Sequence, residues 1–224
     1  MVPLRRYAAR LSIPSPKGRG LSPLFGKNEG EIEMRKLIVT EFYSLDGLMS
    51  DPEDQMDWVT TNFSQDMGKY VDDVYANADT LFLGEVTYQI MANYWPTADT
   101  NPEAFQGDAE GAQTMNSIRK VVFSKNLKDL TWSNSALKTE IVPEEIIKMK
   151  QEPGKDMLVA GSASIVQQLT NFGLVDEYHL LIHPVILGNG KPLFKDMSER
   201  HHLKLISTEV FTNGVVLLRY EPLR

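Results

Sequence analysis

Two stretches of the chain share one plan: an apolar run ends in a glycine with small or polar neighbours, and helical spacing begins at once. Residues 80–94 read TLFLGEVTYQIMANY and residues 157–169 read MLVAGSASIVQQL. Short apolar runs bounded by turn residues read as buried strands, and apolar residues three and four apart read as a helix face. A strand that passes straight into a helix returns by a crossover to a parallel neighbour, which confines the chain to α/β folds.

The same reading extends over the rest. KLIVTEFY (36–43) predicts a first buried strand, closed by the turn SLDG. Over residues 66–78, Met67, Tyr70, Val71, Val74 and Tyr75 share one helical face. Further strands are predicted at 80–84, 118–124 (IRKVVFS) and 136–142 (ALKTEIV), with helices over 85–94 and in EEIIKMKQ, which Pro143 opens. Residues 101–113 are polar, contain Pro and Gly, and read as a mobile excursion. After Gly173 the texture turns to sheet: DEYHLLIHPVI (176–186), the turn LGNGK, then HLKLISTEVF and VVLLRY joined by TNG. These strands read as antiparallel. The expected fold class is α/β, one domain over 34–224, with a central mixed sheet that is antiparallel in its C-terminal part.

Residues 1–33 are different material, rich in Pro, Gly, Ser and Arg, with six basic residues against three acidic ones. Such composition suits a disordered leader. It is basic like an organellar transit peptide, but its prolines and glycines spoil the amphipathic helix those peptides use. A partner-binding tail is a second reading. An over-extended reading frame is the favoured one: Met34 opens the first strand-like run, and Glu29-Gly30-Glu31 can be encoded by a purine-rich string like a ribosome-binding site.

The absence of cysteine removes disulfides, thiolate metal sites, iron-sulfur clusters and cysteine nucleophiles together. No apolar run approaches the roughly 18 residues needed to cross a bilayer, so a soluble, cytoplasmic protein is expected. A net charge of −7 argues against a nucleic-acid surface and for a small-molecule partner. His179 and His183 would share one strand face roughly 13 Å apart, too far for a common metal, and His201 and His202 would point to opposite faces. Asp72, Asp73 and Asp79 read as a solvated face. Trp95-Pro96 reads equally well as a cleft wall or as packing at a helix end.

In β/α proteins ligands gather at the carboxyl ends of strands, where unpaired helix N–H groups attract anions. Three segments answer that description: Gly84-Glu85-Val86-Thr87, Ser124-Lys125-Asn126 and Gly161-Ser162-Ala163-Ser164. In the third, small residues let backbone amides approach a pyrophosphate, and Ser162 or Ser164 is placed to cap the helix or bond the ligand. It has neither the glycine spacing of a Rossmann fingerprint nor a Walker lysine, so alone it reads first as a plain strand-to-helix turn. Asp46, in SLDG, is a candidate to orient substrate or relay a proton, although Asp-Gly is also an everyday turn dipeptide.

The strings VTEFYSLDGLMS, LFLGEVTYQIM, VVFSKNL, MLVAGSASIVQQLTNFGLVDEYHL and HPVILGNGKPLF, in this order and spacing, resemble the dihydrofolate reductase superfamily. Within it the chain is similar, over residues 34–220, to the reductase domain of the bifunctional riboflavin-biosynthesis protein and its stand-alone bacterial relatives. The resemblance implies a three-layer α/β/α fold, NADPH as cofactor, hydride transfer to a small heterocyclic substrate, and often a homodimer. It also implies that Gly84 and Thr87 meet the cofactor phosphates, and that Ser124 and Lys125 meet the adenosine ribose and its phosphate. Gly161, followed by Ser162, Ala163, Ser164 and Ile165, would cover the pyrophosphate. Relatives frequently carry Arg after the first of these glycines; here Glu85 would repel a phosphate, leaving Lys125 to compensate. Trp58 is expected in a loop, and no acid keeps the folate enzymes' spacing from it, with Asp57 and Asp66 as nearby alternatives. Few cationic clamps lie near the first strand for a ribityl phosphate, and the coupled zinc deaminase needs cysteines that are absent. The alternatives are pyrimidinone reduction in flavin synthesis, dihydrofolate reduction, and nucleotide binding without turnover, as in a sensor.

Overall fold

The computed structural model describes residues 34–101 and 108–223, so the leader proposed for residues 1–33 lies outside it. The chain opens with β1 (Leu37–Ser44), β2 (Leu48–Ser50), α1 (Asp57–Thr60), α2 (Gln65–Ala76), β3 (Ala78–Gly84) and α3 (Glu85–Tyr94). After a 3-10 turn at Trp95–Thr97 come α4 (Asp108–Ser117), β4 (Arg119–Phe123), β5 (Ser135–Lys138), α5 (Pro143–Gln151), β6 (Asp156–Val159) and α6 (Ala163–Asn171). The chain closes with β7 (Glu177–His183), β8 (Lys191–Pro192), β9 (Leu203–Val210) and β10 (Val216–Pro222).

Eight strands form one sheet in the order β5-β4-β3-β6-β1-β7-β10-β9, and β2 pairs with β8 in a small second one. Strands from β5 to β7 run parallel; helices carry the chain back across the sheet between them, except from β4 to β5, which a loop joins. β10 alone reverses, antiparallel to both β7 and β9. The mixed sheet is as the sequence predicts, with one refinement: β7 follows a crossover helix and is parallel to β1, so it joins the antiparallel part only through β10.

Alternation along β1 shows how the layers assemble. Leu37 and Val39 enter a core with Phe82, Val159, Ile165 and Leu169, under α5 and α6. Ile38 faces the other way, among Leu81, Leu83, Tyr88 and Met115, while Phe42 packs near Met67, Tyr70 and Leu181, so α2, α3 and α4 cover that side. The result is the three-layer α/β/α arrangement.

Several local expectations need correction. Residues 108–113, taken as part of an excursion, belong to α4: Ala112 and Met115, three apart, are buried, and Gly111 lets the helix approach the Trp95 ring. Tertiary contact outweighs polar composition there. The strand predicted over 136–142 shrinks to β5, and Trp58 lies on α1 rather than in a loop. Asp79 is half-exposed but ion-paired. It pairs with buried Arg35, whose guanidinium also donates to Thr80 Oγ1 at 3.0 Å. Trp95 packs against the Leu81 and Tyr88 core, which favours the helix-end reading. Among the described residues no helix is long and apolar enough to cross a membrane, and no group of three or more metal-ligating side chains is assembled.

Candidate functional site

The sheet splits where the site is expected. β6 pairs with β1 from Leu37↔Met157 to Val39↔Val159 and then leaves it. Beyond that point the chain leans toward β3: the Ala160 amide donates to the Phe82 carbonyl at 3.4 Å, and the Gly84 amide to the Gly161 carbonyl at 3.1 Å. β1 meanwhile continues against β7 as far as Ser44↔His183. The carboxyl edge therefore opens between β1 and β6, the kind of crevice in which open α/β sheets receive ligands.

Two helices begin beside this opening. Gly84 caps α3 and Ser162 caps α6, both in extended backbone and both without a side-chain capping bond. Neither cap side chain occupies the first-turn amides, and each terminus carries the positive end of a helix dipole. The Gly84–Gly161 hydrogen bond holds the two starts together. That closeness explains both glycines. A Cβ on Gly161, whose φ is +88°, would stand 2.8 Å from Thr87 Oγ1, and one on Gly84 would collide with Ser162 Oγ. The Gly161–Ser162 peptide is cis. Ser162 Oγ and Ser164 Oγ share a hydrogen bond of 3.0 Å, and half-buried Ala163 opens the helix between them. Ile165 belongs elsewhere: its side chain lies in the core and its amide donates to the Ser162 carbonyl.

At the end of β4, buried Ser124 donates to the Glu85 carboxylate at 2.5 Å and accepts the amides of Asn126 and Leu127 at 3.0 and 2.9 Å. The hydroxyl thus ties this turn to the first turn of α3. Exposed Lys125 stands next to it. The three sequence-predicted segments lie on the neighbouring strands β4, β3 and β6, within about 10 Å at the usual strand spacing.

Asp46 lies on the far side of the opening. Its carboxylate accepts the Ser44 hydroxyl at 2.7 Å, the Leu187 amide at 3.1 Å and the Gly188 amide at 2.7 Å. The Ser44 hydroxyl first, then the Gly188 amide, hold this exposed carboxyl below the usual range. Asp46 therefore fastens SLDG to LGNG, two turns far apart in sequence. Asp66 is similarly engaged, with the Thr212 amide and hydroxyl at 2.8 and 2.9 Å, and its carboxyl is drawn down to about 2, chiefly by the Ser64 hydroxyl. Asp57 is exposed in the first turn of α1.

The buried acid is one that sequence reasoning missed. Glu41 is 5% exposed on the strand face that holds Leu37 and Val39, and its Oε1 is sealed without a hydrogen-bond partner. Burial raises its pKa well above the usual carboxylate range, while the Gly161 amide against the carboxyl pulls the other way. The signal was available: in KLIVTEFY the acid sits in phase with two core residues. On the opposite face, fully buried His183 has no partner at either ring nitrogen and meets Phe42 and Trp58 edge-on, at 5.8 and 5.1 Å between centroids. Burial lowers its pKa to about 4, and the Trp58 indole N–H is likewise unpartnered. His179 shares the His183 face as predicted, but is satisfied by Tyr70 Oη at 2.8 Å and Glu177 at 2.9 Å. Clefts of about 400 and 320 Å³ lie at the amino ends of the strands, away from this edge, with Lys155 and Asp79 in one and Lys36 and Glu177 in the other.

Comparison with known proteins bears on the family and the fold. Residues 35–217 match the family described as the RibD C-terminal domain. The uncharacterized protein YyaP of Bacillus subtilis is 33% identical over 189 residues, covering 84% of this chain and 96% of its own length. A pyrimidine reductase-like protein from Corynebacterium diphtheriae aligns with a TM-score of 0.61 at 17% identity, over 86% of this chain and 94% of that one. Dihydrofolate reductase from Enterococcus faecalis, complexed with NADP(H), aligns with a TM-score of 0.54 at 11% identity, over 84% and 97%. At such identities the structural likeness speaks for the fold, and the sequence match over most of the chain speaks for kinship. The chain belongs to the RibD C-terminal domain family and has the dihydrofolate reductase-like fold.

Proposed function

We propose that the chain is an NADPH-dependent reductase that transfers a hydride to a small heterocycle, with a pyrimidinone as the first acceptor to test. The observation that carries this reading is the pair of helix starts, α3 and α6, held side by side by the Gly84–Gly161 contact. Two dipole ends, small residues and the Thr87, Ser162 and Ser164 hydroxyls suit a pyrophosphate without a cationic clamp. Family membership supports the reductase class, and the related pyrimidine reductase-like structure suggests the acceptor.

When bound, reduced nicotinamide supplies the hydride; the protein's task is to bind and orient. In this reading Thr87 and the amides after Gly84 and Gly161 hold the phosphates, and Ser124 and Lys125 stand at the adenosine side. Glu85 disfavours a ribose phosphate there, so Lys125 has to offset it. Asp46 keeps the SLDG and LGNG turns joined at the rim and is a positioning residue rather than the proton source. The enzyme is further proposed to be a cytoplasmic homodimer.

Fluorescence titration with NADPH and with NADH, followed by loss of nicotinamide absorbance over acceptors including a pyrimidinone and dihydrofolate, tests the reading. Saturable NADPH binding and oxidation by one acceptor are expected. Failure of both cofactors to bind overturns the proposal, and binding without oxidation by any acceptor favours a nucleotide sensor.

A further inference from the structure

We propose that the Glu41 carboxyl grips the carboxamide of a bound nicotinamide, donating its proton in a hydrogen bond and so fixing the ring over the crevice. The inference rests on the reductase reading above.

Placement comes first. The three cofactor-facing segments end β4, β3 and β6, and the next strand in the sheet is β1. A dinucleotide with its adenosine over β4 and its phosphates over β3 and β6 brings its other end to β1, about 5 Å further on. It meets β1 where that strand has already parted from β6, just past Val39. Glu41 lies there, with the Gly161 amide against its carboxyl.

Chemistry comes second. Glu41 Oε1 is buried without a partner, although buried polar atoms in folded proteins are generally paired. Among the described residues, no cation figures among the groups that shift its carboxyl. α6 contributes no charged residue, β7 places Leu180 opposite, Tyr43 follows on the same face of β1, and from α2 the Tyr75 phenol is itself raised, first by burial and then by Glu41. Burial thus favours the neutral form of the carboxyl, which has one O–H to donate and a carbonyl oxygen to accept. A primary carboxamide offers the matching acceptor and donor. Since the same carboxyl lies against Gly161, one side chain would touch both the ring and the turn over the phosphates.

The test compares wild type with E41Q and E41L, using NADPH and 2′-phospho-ADP-ribose, which is NADPH without its nicotinamide, as ligands in calorimetric titrations. In the glutamine variant the amide still donates and the Gly161 amide keeps an acceptor, but nothing titrates. E41L is expected to bind NADPH about tenfold more weakly and the fragment unchanged. E41Q is expected to stay within about threefold of wild type near neutral pH. Wild-type affinity for NADPH should fall as rising pH ionises Glu41, by about tenfold per pH unit once the group is ionised, and E41Q should lack that fall.

Equal weakening of NADPH and fragment in E41L would make Glu41 a mere support of the Gly161 turn and overturn the proposal. So would a pH dependence shared by wild type and E41Q. Should E41L fail to fold, the pH comparison decides alone. Wild type that binds NADPH yet is indifferent to Glu41 defeats this inference only, whereas wild type that binds no NADPH defeats the reductase reading with it.

Discussion

The Glu85 carboxylate is fixed by the hydroxyl of Ser124, the residue before Lys125, where the adenosine ribose is proposed to lie. A ribose phosphate there meets one repelling and one attracting charge, each of the order of 1–4 kcal/mol at a few ångströms near a protein surface. Glu85→Gln should therefore raise the NADPH-over-NADH preference about tenfold, and Lys125→Ala should lower it by a similar factor. The two dissociation constants, measured for each variant, check both. If neither ratio moves, the phosphate is held elsewhere. This conflict was legible in the sequence because both charges are anchored to predicted strand ends. Glu41 was not, since its meaning depends on Gly161, far along the chain, standing against it. Gly161 was read correctly as a turn, but its close neighbour Thr87 belongs to another strand-to-helix junction and no local pattern announces the contact.

Among the elements, β7 and α1 meet around His183. In the unfolded chain this imidazole protonates near its ordinary 6.5, whereas in the fold burial holds it to about 4. Between those values the unfolded chain binds a proton that the folded chain does not, so acidification favours unfolding. The His183 contribution is intact above about pH 6.5 and is lost as the pH falls toward 4, by about 3 kcal/mol in all. Urea melts across this range should show the slope in wild type, and His183→Leu should lack that increment; parallel curves would mean that the imidazole is not buried in solution. Helices and strands with strong periodicity were legible, including α2 with Met67 and Tyr70 buried. α4 was not, because its polar sequence is held by contacts with Trp95 and the core rather than by its own pattern. The direction of β7 was also hidden, since alternation fixes which face is buried but not which neighbour a strand pairs with.

At the scale of the whole molecule, β9 is an eight-residue edge strand that leaves Leu205, Ile206 and Val210 exposed at 49%, 45% and 70%. A long edge with apolar side chains invites pairing unless something covers it. In the proposed homodimer this is the face to be buried. Sedimentation equilibrium should give twice the chain's 25.3 kDa, and Ile206→Lys with Val210→Lys should return the single mass. A wild-type monomer at micromolar concentration would dismiss the dimer. The parting of β1 from β6 carries a different lesson, about descent. Strands β4, β3 and β6 lie on one side of that seam, while β1, β7 and the SLDG and LGNG rims lie on the other. Glu41 and Gly161 meet across the seam, whereas the SLDG and LGNG rims stand apart from the two helix starts, so in the proposed reading lineages can exchange acceptors at the rims while inheriting the same coenzyme grip. In that reading kinship across this family guides the choice of coenzyme more firmly than that of the metabolite reduced.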